Sequence, residues 1–170
     1  TIPKMVNNSL QKVMLLLFCV AISQIGMAQT NYYVSPTGNN TNDGSFSNPW
    51  LELQYAVNQL MAGDTLNVMA GTYLGKIDVN NSGSNEQNIV IRNHANDIAI
   101  INGVSLPNYQ YLLKIQGVSH ITISGLKFQD YQKLDAIGIT VINSSYISIL
   151  NNEFSNICLL YTSDAADDGL

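Results

Sequence analysis

The sequence predicts an all-β protein, a parallel β-helix (solenoid) that begins with an amino-terminal capping helix. The main observation is that residues 113–128 and 139–154 carry one pattern twice, 26 residues apart. A repeat of this period, built from short strands and turns, is typical of a solenoid in which each coil lies on the previous one. Leucine-rich repeats have a similar period, but the leucine and asparagine scaffold that they need is absent from this sequence.

The two copies agree at the positions that determine backbone shape. Apolar residues recur at alternating strand positions, and two turn glycines of the first copy become asparagines in the second. Glycine and asparagine are the residues that best tolerate the left-handed backbone region. The matched pairs are Ile115 with Val141, Ser119 with Ser145, Ile121 with Ile147, Ile123 with Ile149, Phe128 with Phe154, Gly117 with Asn143, and Gly125 with Asn151.

From Lys76 onward the sequence shows only short β-prone runs separated by turn residues. Such runs could also form a β-sandwich. The fixed spacing favours parallel coils instead, because equivalent residues then stack and fill a narrow core. The coils are predicted over residues 77–157, with strands at 77–79, 89–91, 98–101, 112–115, 121–123, 126–128, 137–141 and 147–149.

A helix is predicted before the coils, over residues 49–62. Ser47 or Asn48 can cap it, Pro49 suits its first position, and Gly63 suits its carboxyl end. We expect this amphipathic helix to cover the open edge of the first coil, since an uncovered edge invites aggregation. With the strands on either side it would form an amino-terminal cap.

The amino-terminal end resembles a secretory signal peptide over residues 5–28. Lys12 supplies a positive charge, and residues 13–22 are an apolar run too short to span a bilayer well. The small residues Gly26 and Ala28 suit cleavage before Gln29. The alternative is a buried core helix. The prediction is export by a bacterium, to the medium, the periplasm or the cell surface, with the cap at residues 29–76.

The carboxyl-terminal end departs abruptly from the repeat. Residues 158–168 resemble the in-frame translation of a transposon-derived sequencing adapter, and the alternative is a genuine acidic tail. The adapter interpretation predicts that residues 158–170 are not native. The protein would then continue past Ile157, and this chain would be truncated after its first few coils.

Composition excludes several classes of function. Residues 29–157 contain no cysteine, and their five cationic and nine acidic side chains give a net charge of −4. Disulfides, thiol chemistry and a basic nucleic-acid footprint are therefore not expected. A mildly acidic surface rich in asparagine is compatible with sugars or calcium. We expect no membrane span after signal removal and a monomer at full length.

Several motifs in order resemble one known group of proteins. They are Tyr-Tyr-Val-Ser-Pro-Thr-Gly at 32–38, Asn-Asp-Gly-Ser at 42–45, Pro-Trp at 49–50, Gly-Asp-Thr-Leu-Asn-Val at 63–68, Ala-Gly-Thr-Tyr at 70–73, Asn-Ile-Val-Ile-Arg-Asn at 88–93 and Ile-Asn-Gly at 101–103. Together they resemble the amino-terminal signature of secreted right-handed parallel β-helix proteins of the pectate-lyase-like superfamily. The resemblance covers nearly all of residues 31–154 and implies the fold.

The resemblance does not determine one function, because the superfamily includes lyases, glycoside hydrolases, epimerases and other proteins. For a lyase it implies β-elimination from a uronic-acid-containing polysaccharide, with calcium on acidic side chains and a Lys or Arg of lowered pKa as base. No motif here matches those groups, so the catalytic coils are expected beyond Ile157 and this chain is expected to be inactive alone. The alternatives are a non-catalytic carbohydrate-binding or cell-surface β-helix and a β-helix glycoside hydrolase.

The best local cluster of charged residues is Asp130, Lys133 and Asp135, in the segment between Phe128 and Ile137. Asp130 and Asp135 are candidate metal ligands, and Lys133 is a candidate catalytic residue. The ordinary alternative is a solvated loop with unremarkable charges.

Other single residues have structural interpretations. Asp43 and Asp64 are expected to cap backbone groups. His94 and His120 stand alone, without metal-ligand spacing. Trp50 is expected to pack beneath the helix, and an aromatic platform for a sugar is its alternative role.

Overall fold

A computed structural model describes residues 29–157, so the predicted signal peptide and the predicted non-native tail lie outside the described residues. One short helix and twelve strands follow in chain order: β1 (Asn31–Val34), α1 (Leu53–Gln59), β2 (Thr65–Val68), β3 (Gly71–Leu74), β4 (Ile77–Val79), β5 (Ile89–Asn93), β6 (Ala99–Asn102), β7 (Tyr111–Gln116), β8 (Ser119–Ser124), β9 (Lys127–Tyr131), β10 (Ile137–Ile142), β11 (Ser145–Leu150) and β12 (Glu153–Ile157). Within this part of the chain, no helix is long and apolar enough to cross a bilayer.

The strands form three parallel sheets. Sheet A has the order β1-β2-β5-β8-β11, sheet B the order β3-β6-β9-β12, and sheet C the order β4-β7-β10. The chain visits the three sheets in turn, and each strand pairs in parallel with its equivalent in the next coil. The predicted parallel β-helix is therefore confirmed.

The predicted 26-residue repeat is the spacing between the last two described coils. Leu113 pairs with Ile139, Ile121 with Ile147, and Phe128 with Phe154. Alternation along each strand points every second side chain inward, and these form one continuous core.

The turn positions are also confirmed. Gly117 has φ 67° and its equivalent Asn143 has φ 48°, while Gly125 has φ 70° and its equivalent Asn151 has φ 55°. All four lie in the left-handed region, where glycine and asparagine are favoured. The repeat thus preserves a backbone conformation as well as a pattern of apolar residues.

Helix α1 confirms the predicted cap but is shorter than the predicted 49–62. The segment that was expected to begin the helix is extended, because the backbone of Trp50 hydrogen-bonds to Tyr33 and Ser35 beside β1. The Asn40 side chain, rather than Ser47 or Asn48, then accepts the amides of Leu51 and Glu52, at 3.1 and 3.0 Å.

The carboxyl end of α1 also differs from the prediction. The helix ends at Gln59, and the backbone of the next residue, Leu60, is extended. Gly63 does adopt the left-handed region, at φ 92°, but in the turn that leads into β2. There Asp64 accepts the amide of Met61 at 2.7 Å, and this bond closes the turn.

The helix covers the edge that needed protection. Strand β4 is the edge of sheet C, and the Gln54 side chain accepts the amide of Asp78 at 2.6 Å and donates to its carbonyl at 2.9 Å. Gln54 therefore supplies hydrogen bonds to the open edge of β4, which blocks further strand pairing there.

The coils begin earlier than predicted. Strands β2 and β3 lie within the predicted cap at residues 29–76, yet they pair in register with β5 and β6. Their inward residues Leu66, Val68 and Tyr73 are buried in the same core as the later coils. Each of these strands is only four residues long, and so short an apolar pattern does not distinguish a cap from a coil.

Candidate functional site

The charged cluster predicted from the sequence lies around the end of β9. Asp130 is hydrogen-bonded across three coils: its Oδ2 accepts from Asn102 at 2.9 Å and from Gln129 at 3.0 Å, and its Oδ1 accepts from Asn156 at 3.0 Å. The Asn102 amide is held in this orientation because its Oδ1 accepts the Val104 amide at 2.9 Å. Asp130 is thus a link in a ladder of side chains that joins successive coils.

This arrangement does not fit calcium as it stands. Calcium takes about six to eight oxygen ligands, whereas both oxygens of Asp130 already accept N–H donors. Among residues 29–157, no three His, Cys, Asp or Glu side chains come together as a metal-binding group. The described residues do not form a complete calcium site, and metal binding by Asp130 and Asp135 stays a prediction.

Lys133 is brought close to Asp130 but not into a catalytic group. Both residues line a shallow groove together with Asn102, Val104 and Gln132, and Asp135 is not among its lining residues. Lys133 is exposed at the surface of the loop between β9 and β10. Its predicted catalytic role stays a prediction.

A second group of charged residues, not predicted from the sequence, lies on the outer face of sheet C. Asp78 on β4 and Lys114 on β7 are register partners. Because Ile77, Val79 and Leu113 point into the core, alternation directs Asp78 and Lys114 outward. With the neighbouring Lys76 and Tyr111 they form what we call the sheet C cluster.

Short contacts hold the sheet C cluster together. Asp78 Oδ1 lies 3.1 Å from Lys114 Nζ and accepts the Tyr111 hydroxyl at 2.7 Å. Lys76 Nζ donates to the Tyr111 hydroxyl at 3.3 Å. Both ammonium groups lie 4.9 Å from the centroid of the Tyr111 ring, within the range of a cation–π contact.

The electrostatics of the cluster favour the charged forms of Asp78 and Lys114. Partial burial tends to raise the pKa of Asp78, but hydrogen bonds from Tyr111 and Lys114 and the charges of Lys114 and Lys76 outweigh it, so the pKa is lowered. Tyr111 and Asp78 raise the pKa of Lys114 above its ordinary value. Lys114 is therefore an ammonium at neutral pH, suited to bind an anion and unsuited to act as a base.

The sheet C cluster carries a net positive charge in an acidic protein. Its two lysines and one aspartate sum to +1, whereas the whole chain carries −5. A cationic, partly aromatic surface of this kind can pair with a carboxylate and pack against the ring that bears it.

The remaining predicted residues have structural roles. Asp43 Oδ1 accepts the Ser45 amide at 3.0 Å, so the predicted capping by Asp43 is confirmed, as it is for Asp64. Trp50 is 5% exposed and packs against Tyr55 of α1, which confirms packing beneath the helix and excludes an exposed sugar platform at that residue.

The two histidines lie apart from each other. His94 Nδ1 is 3.2 Å from Asp97 Oδ2, and His120 stacks on Tyr146 with ring centroids 4.5 Å apart. Neither belongs to a metal-binding group of the described residues.

Two curated proteins are similar to this chain. It is 37% identical over 133 residues to "Uncharacterized protein YwoF" of Bacillus subtilis (strain 168), covering 74% of this chain and 28% of that protein. It is 30% identical over 122 residues to "Pectate lyase PEL9" of Emericella nidulans, covering 67% of this chain and 28% of that protein. The chain thus spans less than a third of the length of either relative.

Solved structures share the fold at low identity. The crystal structure of pectate lyase Pel9A matches with a TM-score of 0.53 at 23% identity, over 75% of this chain and 40% of that one. A GH136 lacto-N-biosidase from Eubacterium ramulus matches with a TM-score of 0.64 at 16% identity, over 86% of this chain and 30% of that one. These likenesses concern the fold alone.

The sequence itself identifies the family. Residues 32–169 match the family described as Pel9A-like, right-handed β-helix region. That match includes every coil described above and agrees with the parallel topology of the three sheets. The chain therefore belongs to the Pel9A-like family of right-handed β-helix proteins.

Proposed function

We propose that this chain is part of a secreted bacterial polysaccharide lyase that cleaves uronic-acid-containing polysaccharide by β-elimination. Within it, the sheet C cluster binds a substrate carboxylate. The observation that carries the proposal is the pair of ammonium groups on the Tyr111 ring, on the outer face of a sheet of a Pel9A-like β-helix. The relative named "Pectate lyase PEL9" supports the same class of substrate.

The chemistry of the cluster matches a uronic acid. A carboxylate between Lys76 and Lys114 would meet two ammonium donors, and charge-assisted hydrogen bonds are the stronger kind. Asp78 balances one of the two positive charges, which leaves one for the ligand. The Tyr111 ring offers an apolar face to the C–H groups of a sugar.

Binding and proton transfer are divided between different coils in this proposal. β-Elimination needs a base with a pKa near the working pH, and the raised pKa of Lys114 makes that residue a binding group. We place the base and any calcium ligands in further coils of the complete protein. Lys133 stays a candidate base within this chain, and Asp130 and Asp135 stay candidate ligands.

Two alternatives come from other functional classes. A non-catalytic carbohydrate-binding or cell-surface β-helix would use the same cationic and aromatic surface without a base. A β-helix glycoside hydrolase would use paired carboxylates, and a fold shared with a lacto-N-biosidase is compatible with that chemistry.

Product analysis of the complete protein separates these possibilities. Lyase action on polygalacturonate, alginate or chondroitin creates unsaturated ends that absorb in the ultraviolet, hydrolysis releases saturated ends, and a binding protein releases neither. We expect unsaturated products from a uronic-acid polymer. Their absence with all three polymers would contradict the lyase.

A matched pair of variants tests the sheet C cluster in the same assay. Lys114→Ala should raise KM and leave kcat nearly unchanged, because it removes a contact made equally in the ground state and the transition state. Lys127→Ala is the control, since Lys127 also pairs with a carboxylate, that of Glu153 at 2.6 Å, but on sheet B. An equal effect of both variants would place substrate binding elsewhere.

A further inference from the structure

A group of three aromatic rings lies on the outer face of sheet A, beside its first strands β1, β2 and β5. The centroid of Tyr33 is 5.2 Å from that of Phe46 and 5.6 Å from that of His94, and Phe46 and His94 are 5.5 Å apart. We call these residues the aromatic triad. Each ring contacts both of the others, so the triad is one continuous surface.

The triad is held by three separate segments. Tyr33 is on β1 and points outward because Val34 beside it is fully buried. His94 directly follows β5, where its amide donates to the Val68 carbonyl at 2.8 Å and its ring contacts Asp97. Phe46 comes from the loop between β1 and α1. Regular strands therefore fix two of the rings and preorganise the surface.

Polar groups stand next to the rings. Asn67 is the register partner of both Tyr33 and Arg92, so it lies on the strand between them. Its side chain accepts the Arg92 Nε–H at 3.2 Å, which orients an otherwise exposed guanidinium. Asp97 adds a carboxylate beside the triad, with its Oδ2 3.2 Å from His94 Nδ1.

Phe46 is the unusual member, because 56% of its surface is exposed although Tyr33 and His94 hold its ring in place. Scattered exposed apolar residues are ordinary, but a fixed exposed ring flanked by hydrogen-bonding groups has the composition of a small-ligand site. A pyranose complements it, with an apolar C–H face for the ring and hydroxyls for Arg92, His94 and Asp97.

We infer that the aromatic triad is a second, non-catalytic sugar-binding site on the outer face of sheet A. It rests on the proposed function in that its ligand is a sugar unit of a polysaccharide. It differs from the sheet C cluster in its chemistry, since stacking requires no carboxylate. The triad therefore binds neutral and acidic pyranoses alike, whereas the sheet C cluster selects acidic ones.

The aromatic triad and the sheet C cluster lie on two faces of the same β-helix, so a long polymer should bind more tightly than a short oligosaccharide. A polysaccharide long enough to reach both sites binds with the combined strength of the two, provided that their geometry allows simultaneous contact. A short oligosaccharide occupies one site at a time. The triad then retains the protein on a polymer between encounters at the sheet C cluster.

Calorimetric titration of the chain with polygalacturonate and with neutral galactan tests the inference. Phe46→Ala should weaken binding of both polymers by about tenfold, which corresponds to about 1.4 kcal/mol. Phe46→Trp should retain or strengthen binding, because the larger ring still stacks. Met61→Ala removes another exposed apolar side chain, 65% exposed, and should change nothing.

A structural readout guards against a variant that merely misfolds. In the unaltered chain, neutral galactan oligosaccharides should shift the ring resonances of Phe46 and His94 in the NMR spectrum. Unshifted rings, or equal galactan affinity for Phe46→Ala and the parent chain, would overturn the inference. The proposed function fails separately, if polygalacturonate binds no more tightly than galactan and Lys114→Ala makes no difference.

Discussion

Phe154 stacks on Phe128 with ring centroids 5.1 Å apart and ring planes 12° from parallel. The two residues hold equivalent positions in successive coils, yet Phe128 is 0% exposed and Phe154 is 36% exposed. The difference arises because β9 lies between β6 and β12, whereas β12 is the last strand of sheet B among residues 29–157. Burial in a solenoid therefore depends on the coil as well as on the residue type.

This difference in burial predicts that replacing phenylalanine by alanine destabilises the protein more at position 128 than at position 154. Phe128→Ala should lower the free energy of unfolding by about 3–5 kcal/mol, because it leaves a cavity between coils. Phe154→Ala should lower it by about 1–2 kcal/mol, since part of that ring is already in contact with water. Urea unfolding of both variants measures the difference. Equal losses would show that the two positions are equally buried in solution.

The turn at Gly117 gives a second prediction. Gly117→Ala should destabilise the protein by about 1–2 kcal/mol through left-handed backbone strain alone, because an added Cβ meets nothing within 4 Å. Gly117→Asn should cost less, because Asn143 adopts the same conformation in the next coil. Thermal unfolding of the two variants checks their order, and a greater loss for asparagine would contradict the account.

Gly125 supplies the matched control for that turn. It has the same left-handed conformation, and its equivalent is Asn151. A Cβ at Gly125 would, however, collide with the side chain of Asn93. Gly125→Asn should therefore cost more than Gly117→Asn in thermal unfolding, because the Asn93 side chain must move and give up its hydrogen bonds to the Ala95 and Asp97 carbonyls.

The Asp78–Lys114 pair predicts a pH dependence of stability. The folded-state pKa of Asp78 is lowered, so its contribution is present above the unfolded-state pKa, about 3.9, and is lost as pH falls through the folded value. The stability difference between the protein and Asp78→Asn should therefore be constant above about pH 5 and shrink below about pH 4. Chemical unfolding across this range measures it. A difference that grows as pH falls would contradict the lowered pKa.

The contribution of Lys114 to stability depends on pH in the opposite direction. Its folded-state pKa is raised, so its contribution is present below the unfolded-state pKa, about 10.4, and is lost as pH rises through the folded value. The pair therefore contributes across the neutral range.

The sequence repeat predicted the coils because the 26 residues from Leu113 to Ile139 make one complete turn of the β-helix, which brings the two residues side by side on paired strands. It predicted the left-handed turns at Gly117 and Asn143 because both residue types favour that conformation. It missed His120 and Tyr146, which adopt φ 59° and 56° at equivalent positions. Tyrosine gives no such signal and histidine a weaker one than glycine or asparagine, so tertiary packing determines the backbone at these two positions.

The start of the helix was predicted wrongly for a related reason. Pro49 is compatible with a first helical turn and equally with an extended backbone. The choice depends on Trp50, whose backbone pairs with Tyr33 and Ser35. Local propensity contains no information about that long-range pairing.

The sheet C cluster escaped the sequence because its coils are unequal in length. Ile77-Asp78-Val79 and Leu113-Lys114-Ile115 pair strand to strand, but they are 36 residues apart rather than 26. Longer loops between β4 and β7 lengthen that coil, so a repeat of 26 residues does not align Asp78 with Lys114. The sequence feature that could have identified the pair is the apolar–charged–apolar triplet that both strands share. The predicted cluster was easier to recognise, because its members Asp130, Lys133 and Asp135 are close in sequence.

NMR mapping of trigalacturonate binding locates the residues that hold the uronic acid. We expect the resonances of Tyr111 and of the Lys76 and Lys114 ammonium groups to shift on titration. The shifts should weaken with added salt, because charge pairing at a surface is screened over about 10 Å at 0.1 M. Unshifted Tyr111 and Lys114 in a sample that binds trigalacturonate elsewhere, or no binding at all, would contradict the proposal that the sheet C cluster holds a uronic acid.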